Sequence, residues 1–77
     1  MLRNLDDVRK KKNVTLVDIG DLLEVRYQTV ADKINEVSDF KFGEALLIKN
    51  KFFPEYEIEY LFKSDKNEEE ELKAWTS

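Results

Sequence analysis

TLVDIGDLLEVRYQTVADKIN, residues 15–35, carries two short apolar stripes with a break between them. Leu16, Ile19, Leu22 and Leu23 fall at i, i+3, i+6 and i+7, one face of a 3.6-residue period. Thr15 stands just before them, with a hydroxyl suited to accept from a backbone N–H one turn on. After Val25 the pattern restarts out of phase at Tyr27, Val30 and Ile34. Two periodic segments separated by a few residues predict a helix-turn-helix corner. Gly20 sits inside the first helix, where it costs up to ~1 kcal/mol relative to Ala. A second helix crossing closely there would give it a reason; a merely tolerated glycine is the alternative.

The surroundings are those of one small domain. A chain of 77 residues has room for a single core. It has no Cys and no His, which removes disulfides, thiolate metal sites, the usual zinc ligand and the usual general base. No apolar run approaches the ~20 residues that span a bilayer, and no signal-peptide core is present. A soluble, cytoplasmic protein without metal or cofactor is expected. The formal net charge of −4 is unevenly spread. Residues 1–12 hold five Lys or Arg against two Asp, whereas residues 64–77 hold five Asp or Glu against two Lys. Distribution, not the total, decides whether a face suits nucleic acid.

Along the chain, Asn4 is the expected N-cap of a first helix, with Asp6 and Asp7 in its first turn and Arg9 to Lys12 in its last, complementing the dipole. Leu2, Leu5 and Val8 are its core residues. Lys10 to Lys12 read either as a solvated helix end or as phosphate contacts. Asn13 and Val14 break the helix. Ser38 and Asp39 mark a loop, and Phe42, Ala45, Leu46, Ile48 and Lys49 return to helical spacing until Pro54. A fifth short helix is expected from Pro54, with Ile58, Leu61 and Phe62 inward and Tyr56 and Tyr60 partly exposed. Among the aromatics, Phe52, Phe53, Tyr60 and Phe62 are divided between core and a dimer surface. Residues 1–63 form the domain, and residues 64–77 form an acidic, frayed tail in which Leu72 and Trp75 could dock as a short helix. The fold class is thus all-α, a bundle of about five short helices.

Little here serves catalysis: the carboxylates are scattered over solvent faces, and Gly20 and Gly43 make no phosphate loop. No enzyme is expected. A helix-turn-helix instead places the start of its second helix, about residues 26–34, on base edges in the major groove. With Val30 and Ile34 inward, Arg26, Tyr27, Gln28, Ala31 and Asp32 turn outward. Gln28 suits adenine, Arg26 suits guanine or a phosphate, and Asp32 suits cytosine N4. Tyr27 either faces the bases or leans on the core.

At these residues the chain resembles the lambda-repressor-like helix-turn-helix proteins, the Cro and repressor class that includes the xenobiotic-response-element family. The likeness covers roughly residues 4 to 62. NLDDVRKKKNVT at Asn4 to Thr15 is similar to the family's N-L-x-x-L-R-x-x-x-x-L-T opening. IGDLLEVRYQTV is similar to its L-A-x-L-L-x-V-x-x-x-T-[IV], with Gly20 at the small position, and TVADKIN, DF and EALLIKNKFF resemble small phage-type Cro-like proteins. The resemblance implies operator binding to double-stranded DNA, usually as a homodimer. It puts Arg26, Tyr27, Gln28 and Asp32 on base-facing places and Thr29 on a partly buried one. It puts Thr15, Leu16, Asn35 and Lys41, and also Arg9, against the DNA backbone; Lys33 completes an expected positive face with Arg9, Arg26 and Lys41. The chain departs from the family with Glu24 at the turn glycine, Glu36 after the third helix, Leu16 at a polar position and Arg26 at the capping serine. The two glutamates and the acidic tail suit a second reading, an interaction protein that pairs with a repressor.

Overall fold

The computed structural model describes residues 1–64. The expected acidic tail, apart from Ser64, lies outside the described residues. The described chain is all-helical: α1 is Arg3–Lys11, α2 Leu16–Leu23, α3 Tyr27–Ile34, α4 Phe42–Phe52 and α5 Ile58–Leu61. Leu2, Leu5, Val8, Val14, Ile19, Val30, Ile34, Ile48, Phe53 and Leu61 pack into one core. Of all helix pairs, α2 and α3 make the most extensive contact; α1 lies against α3 and α5, and α4 against α2 and α5.

Helices α1, α2 and α3 end by the same device. Asn13, Glu24 and Glu36 take left-handed backbone, at φ of 58°, 59° and 63°. In each case the next residue is a valine whose N–H reaches back five positions: Val14 to the Arg9 carbonyl at 2.8 Å, Val25 to Gly20 at 2.9 Å and Val37 to Asp32 at 2.8 Å. Carbonyls that the helix would leave open are thereby satisfied. Asn tolerates this conformation, while for a glutamate it costs roughly 1–2 kcal/mol. Glu24→Gly is therefore expected to stabilise the domain by about 0.5–1 kcal/mol, the relief being partly offset by the greater freedom of an unfolded glycine. A rise in the urea midpoint at unchanged slope checks it.

The helix starts depart from the sequence reading at two places. Asn4 is not the cap of α1: the helix starts two residues earlier than that cap would set it, after Leu2, whose N–H donates to the Ile34 carbonyl at 2.8 Å. The Asn4 amide instead donates to the Tyr60 carbonyl at 2.9 Å, tying α1 to α5. Nor does α5 begin at Pro54. Residues 54–57 form a turn, with the Tyr56 N–H on the Phe53 carbonyl at 3.1 Å, and the helix is only Ile58–Leu61. Thr15 caps α2 as expected, and its partner is reciprocal: Thr15 Oγ1 accepts from the Asp18 N–H at 3.1 Å, and the Asp18 carboxylate accepts from the Thr15 N–H at 3.0 Å.

Two pieces of the interior were not legible from spacing. Asp6 is only 5% exposed, its carboxylate held by Arg9 at 2.8 Å and Lys10 at 2.9 Å. Phe53 is fully buried, so it belongs to the core and not to a dimer surface. No helix among the described residues is long and apolar enough to cross a membrane.

Candidate nucleic-acid interface

Residues Glu24, Val25 and Arg26 connect α2 to α3, and Gly20 lets this connection lie flat on α2. A Cβ built at Gly20 would stand 2.7 Å from the Val25 carbonyl oxygen and 3.5 Å from the Tyr27 nitrogen. What crowds Gly20 is thus the backbone of the corner itself, where the sequence suggested a crossing helix. The N–H groups of Glu24 and Val25 both donate to the Gly20 carbonyl. The start of α3 is fixed relative to α2 by these contacts.

Arg26 precedes α3 in extended backbone and gives it no side-chain cap. Val30 is fully buried and Ile34 nearly so, which settles the inward face. Arg26, Tyr27 and Gln28 are all exposed at the start of the helix: Gln28 lies opposite Val30, while Tyr27 falls on the stripe of Val30 and Ile34 and is exposed all the same. Tyr27 is 58% exposed and does not lean on the core. Thr29, Ala31 and Asp32 are half-buried. Among the described residues, Arg26 and Gln28 have no side-chain hydrogen bond or ion pair, so their donors are available to a ligand.

The expected backbone contacts divide into two groups. Arg9, Leu16 and Asn35 line one shallow cleft of about 230 Å³ between α1, α2 and the end of α3, with Met1, Asp6, Ala31 and Ile34. Thr15 and Leu16 open α2 beside it, where the capping box takes up the Thr15 and Asp18 N–H groups and leaves those of Leu16 and Val17 to favour an anion. Arg9 itself is largely committed, with Nε on Asp6 at 2.9 Å and Nη1 on the Val14 carbonyl at 3.4 Å.

Lys33 is committed more deeply. Its ammonium donates to the Asp39 carbonyl at 3.0 Å and to Glu44 at 3.1 Å, with its side chain 12% exposed, and it lies 5.7 Å from the Phe40 ring centroid. Glu44 also accepts from the Lys41 N–H at 2.9 Å. That backbone bond first, and the Lys33 bond and charge after it, hold the Glu44 carboxyl below its ordinary pKa against the opposing effect of burial. Lys41 keeps its own side chain exposed. The positive face drawn from Arg9, Arg26, Lys33 and Lys41 thus has two cations at open sites and two neutralised by carboxylates.

An apolar surface also appears that was not singled out as a site. Phe42 is 74% exposed, Leu47 52% and Leu46 40%, on the outer side of a helix whose Ala45 and Ile48 are buried. The signal was present in the sequence as apolar residues on more than one face of α4. Among the described residues no cluster of acids could hold a metal ion. No protein-family model matches the chain, and no curated protein or solved structure gives a significant match to it.

Proposed function

We propose that this chain is a sequence-specific double-stranded DNA-binding regulator of the lambda-repressor-like, phage or prophage type, acting as a homodimer. Helices α2 and α3 serve as its helix-turn-helix, and α3 lies in the major groove. The observation that carries the reading is the first turn of α3. Arg26, Tyr27 and Gln28 stand exposed there, ahead of the sunken Val30 and Ile34, and Arg26 and Gln28 have no internal partners among the described residues. Arg26 presents a bidentate fork matched to guanine, and Gln28 an amide matched to adenine. The start of α2 and the exposed Lys41 supply phosphate contacts.

The test is selection from a random duplex pool with the full chain, followed by titration of the selected site at several salt concentrations. A specific site, bound more weakly as salt rises, is expected. Arg26→Ala should weaken it roughly 5- to 150-fold, the equivalent of 1–3 kcal/mol for a bidentate base contact, with an unchanged circular dichroism spectrum. Arg26 is preferable to Arg9 for this purpose, because removing Arg9 also strips the buried Asp6 of a partner. Selected duplexes that bind no better than the starting pool at low salt would sink the proposal.

A second reading has its own observation. Arg9 and Lys33 are neutralised internally, and α4 turns Phe42, Leu46 and Leu47 outward. A modulator that pairs with a repressor would use such a face instead of DNA. Arg26→Ala would leave that pairing intact, whereas Leu47→Asp would disrupt it.

A further inference from the structure

A groove of about 470 Å³ opens on the surface of the described residues. Leu2, Phe40, Phe42, Ala45, Ile58 and Phe62 give its apolar surface. Phe40 and Phe62 meet edge to face at 5.3 Å between centroids and form one wall, while Phe42 leaves most of its ring in water. Ser64, the last described residue, also lines the groove and is itself 9% exposed. The chain therefore continues from the wall of the groove.

Beyond Ser64 the sequence is DKNEEEELKAWTS, in which Leu72 and Trp75 are the only large apolar side chains. They are three residues apart, the spacing that puts two side chains on one face of a helical turn. We propose that the groove is the seat of this chain's own Leu72–Trp75 segment. Leu72 stands eight positions after Ser64 and Trp75 eleven. At no more than about 3.3–3.6 Å per residue a run of that length reaches at most roughly 26–40 Å, so the segment stays within reach of a groove that its tether already borders. Tethering of this kind gives an effective concentration in the millimolar range, well above that of a second copy in dilute solution. The groove lining carries Asp39 and Glu59 beside Glu36, which pairs with the N-terminal ammonium at 3.0 Å, and Lys33, which pairs with Glu44 at 3.1 Å, and the tether carries Glu68 to Glu71. Like charges oppose the docking, so apolar contact drives it, and added salt strengthens it by screening the repulsion. That salt dependence is opposite in sign to the one expected for DNA, and the proposal does not rest on the DNA reading.

Trp75 is the single tryptophan of the chain, so its fluorescence reports its surroundings without labelling. In the full-length chain the emission is expected to be blue-shifted relative to free tryptophan, to resist acrylamide quenching, and to be unchanged on dilution. Phe42→Ser and, separately, Leu72→Ser should each shift it to the red and raise quenching severalfold. Phe42 is 74% exposed, and the circular dichroism spectrum and urea midpoint are the controls for both variants. Emission like that of free tryptophan in the unaltered chain overturns the proposal. So does a blue shift that Phe42→Ser leaves in place, which puts the seat elsewhere. A blue shift lost on dilution also overturns it and assigns the groove to a second copy.

Discussion

Gly20→Ala is expected to destabilise the domain by about 1–2 kcal/mol, although the same change in an ordinary helix interior would stabilise it by up to ~1 kcal/mol. The sign is decided at the corner. The new methyl would lie 2.7 Å from the Val25 carbonyl oxygen, a distance that real Cβ contacts do not show. Relief requires a displacement of backbone, because a carbonyl cannot rotate away as a side-chain end can. The connection is also pinned from below, since Glu24 and Val25 both donate to the carbonyl of Gly20. Overpacking of this kind costs about 1–3 kcal/mol, more than helix propensity returns. For a domain of this size each kcal/mol lowers the melting temperature by about 4–8 °C. Arg26 and Tyr27 follow Val25 directly, so the shift that accommodates the methyl also moves the residues proposed to face bases. Thermal melting combined with duplex titration separates the two consequences. A variant as stable as the parent would mean that the corner yields freely and does not fix α3.

The helical framework was legible because its signals are local. The stripe from Leu16 to Leu23, the stripe from Tyr27 to Ile34 and the proline after Phe53 each state a boundary within a few residues. The same periodicity turns Gln28 outward once Val30 and Ile34 are placed inward, but it puts Tyr27 on their stripe, and the exposure of Tyr27 at the very start of α3 is a finding of the structure. What spacing does not carry is partnership across the fold. Lys33 reads as one more exposed cation until α4 brings Glu44 beside it, and Arg9 reads likewise until Asp6 is seen to be buried. Glu24 and Glu36 resist a different rule. Propensity places glycine or asparagine at left-handed helix ends, and here a following valine, returning its N–H five residues back, holds a glutamate in that conformation. The pattern Asn13–Val14, Glu24–Val25 and Glu36–Val37 is visible in the sequence only after the structure has given it a meaning. The short α5 was misplaced because proline permits a helix start without requiring one; the Phe53–Tyr56 turn takes up the residues in between.

Phe53→Ala is expected to have the largest effect on stability, about 3–5 kcal/mol. Phe53 is the largest of the fully buried side chains, and it sits where the end of α4 meets the rest of the core. The Phe52 ring lies 6.0 Å away, and the Lys12 ammonium stands 5.6 Å from the centroid of the Phe53 ring. Lys12 closes the site from outside by donating to the Phe52 carbonyl at 2.6 Å and pairing with Glu55. Stability of ~0.05–0.15 kcal/mol per residue gives roughly 3–10 kcal/mol for a domain of 64 residues, so the loss removes a third of it or more. Two further variants locate the cause. Phe52→Ala truncates a half-buried ring and should cost distinctly less. Lys12→Met keeps much of the stem while removing an exposed ion pair, and should cost no more than about 1 kcal/mol. Urea unfolding monitored by circular dichroism measures all three, and the order Phe53→Ala, then Phe52→Ala, then Lys12→Met is the expected one. If Phe53→Ala cost under about 1 kcal/mol, well below the range for a buried phenylalanine, its neighbours would be free to collapse into the space. The end of α4 would then be a loose attachment and not the clamp that the burial of Phe53 makes it.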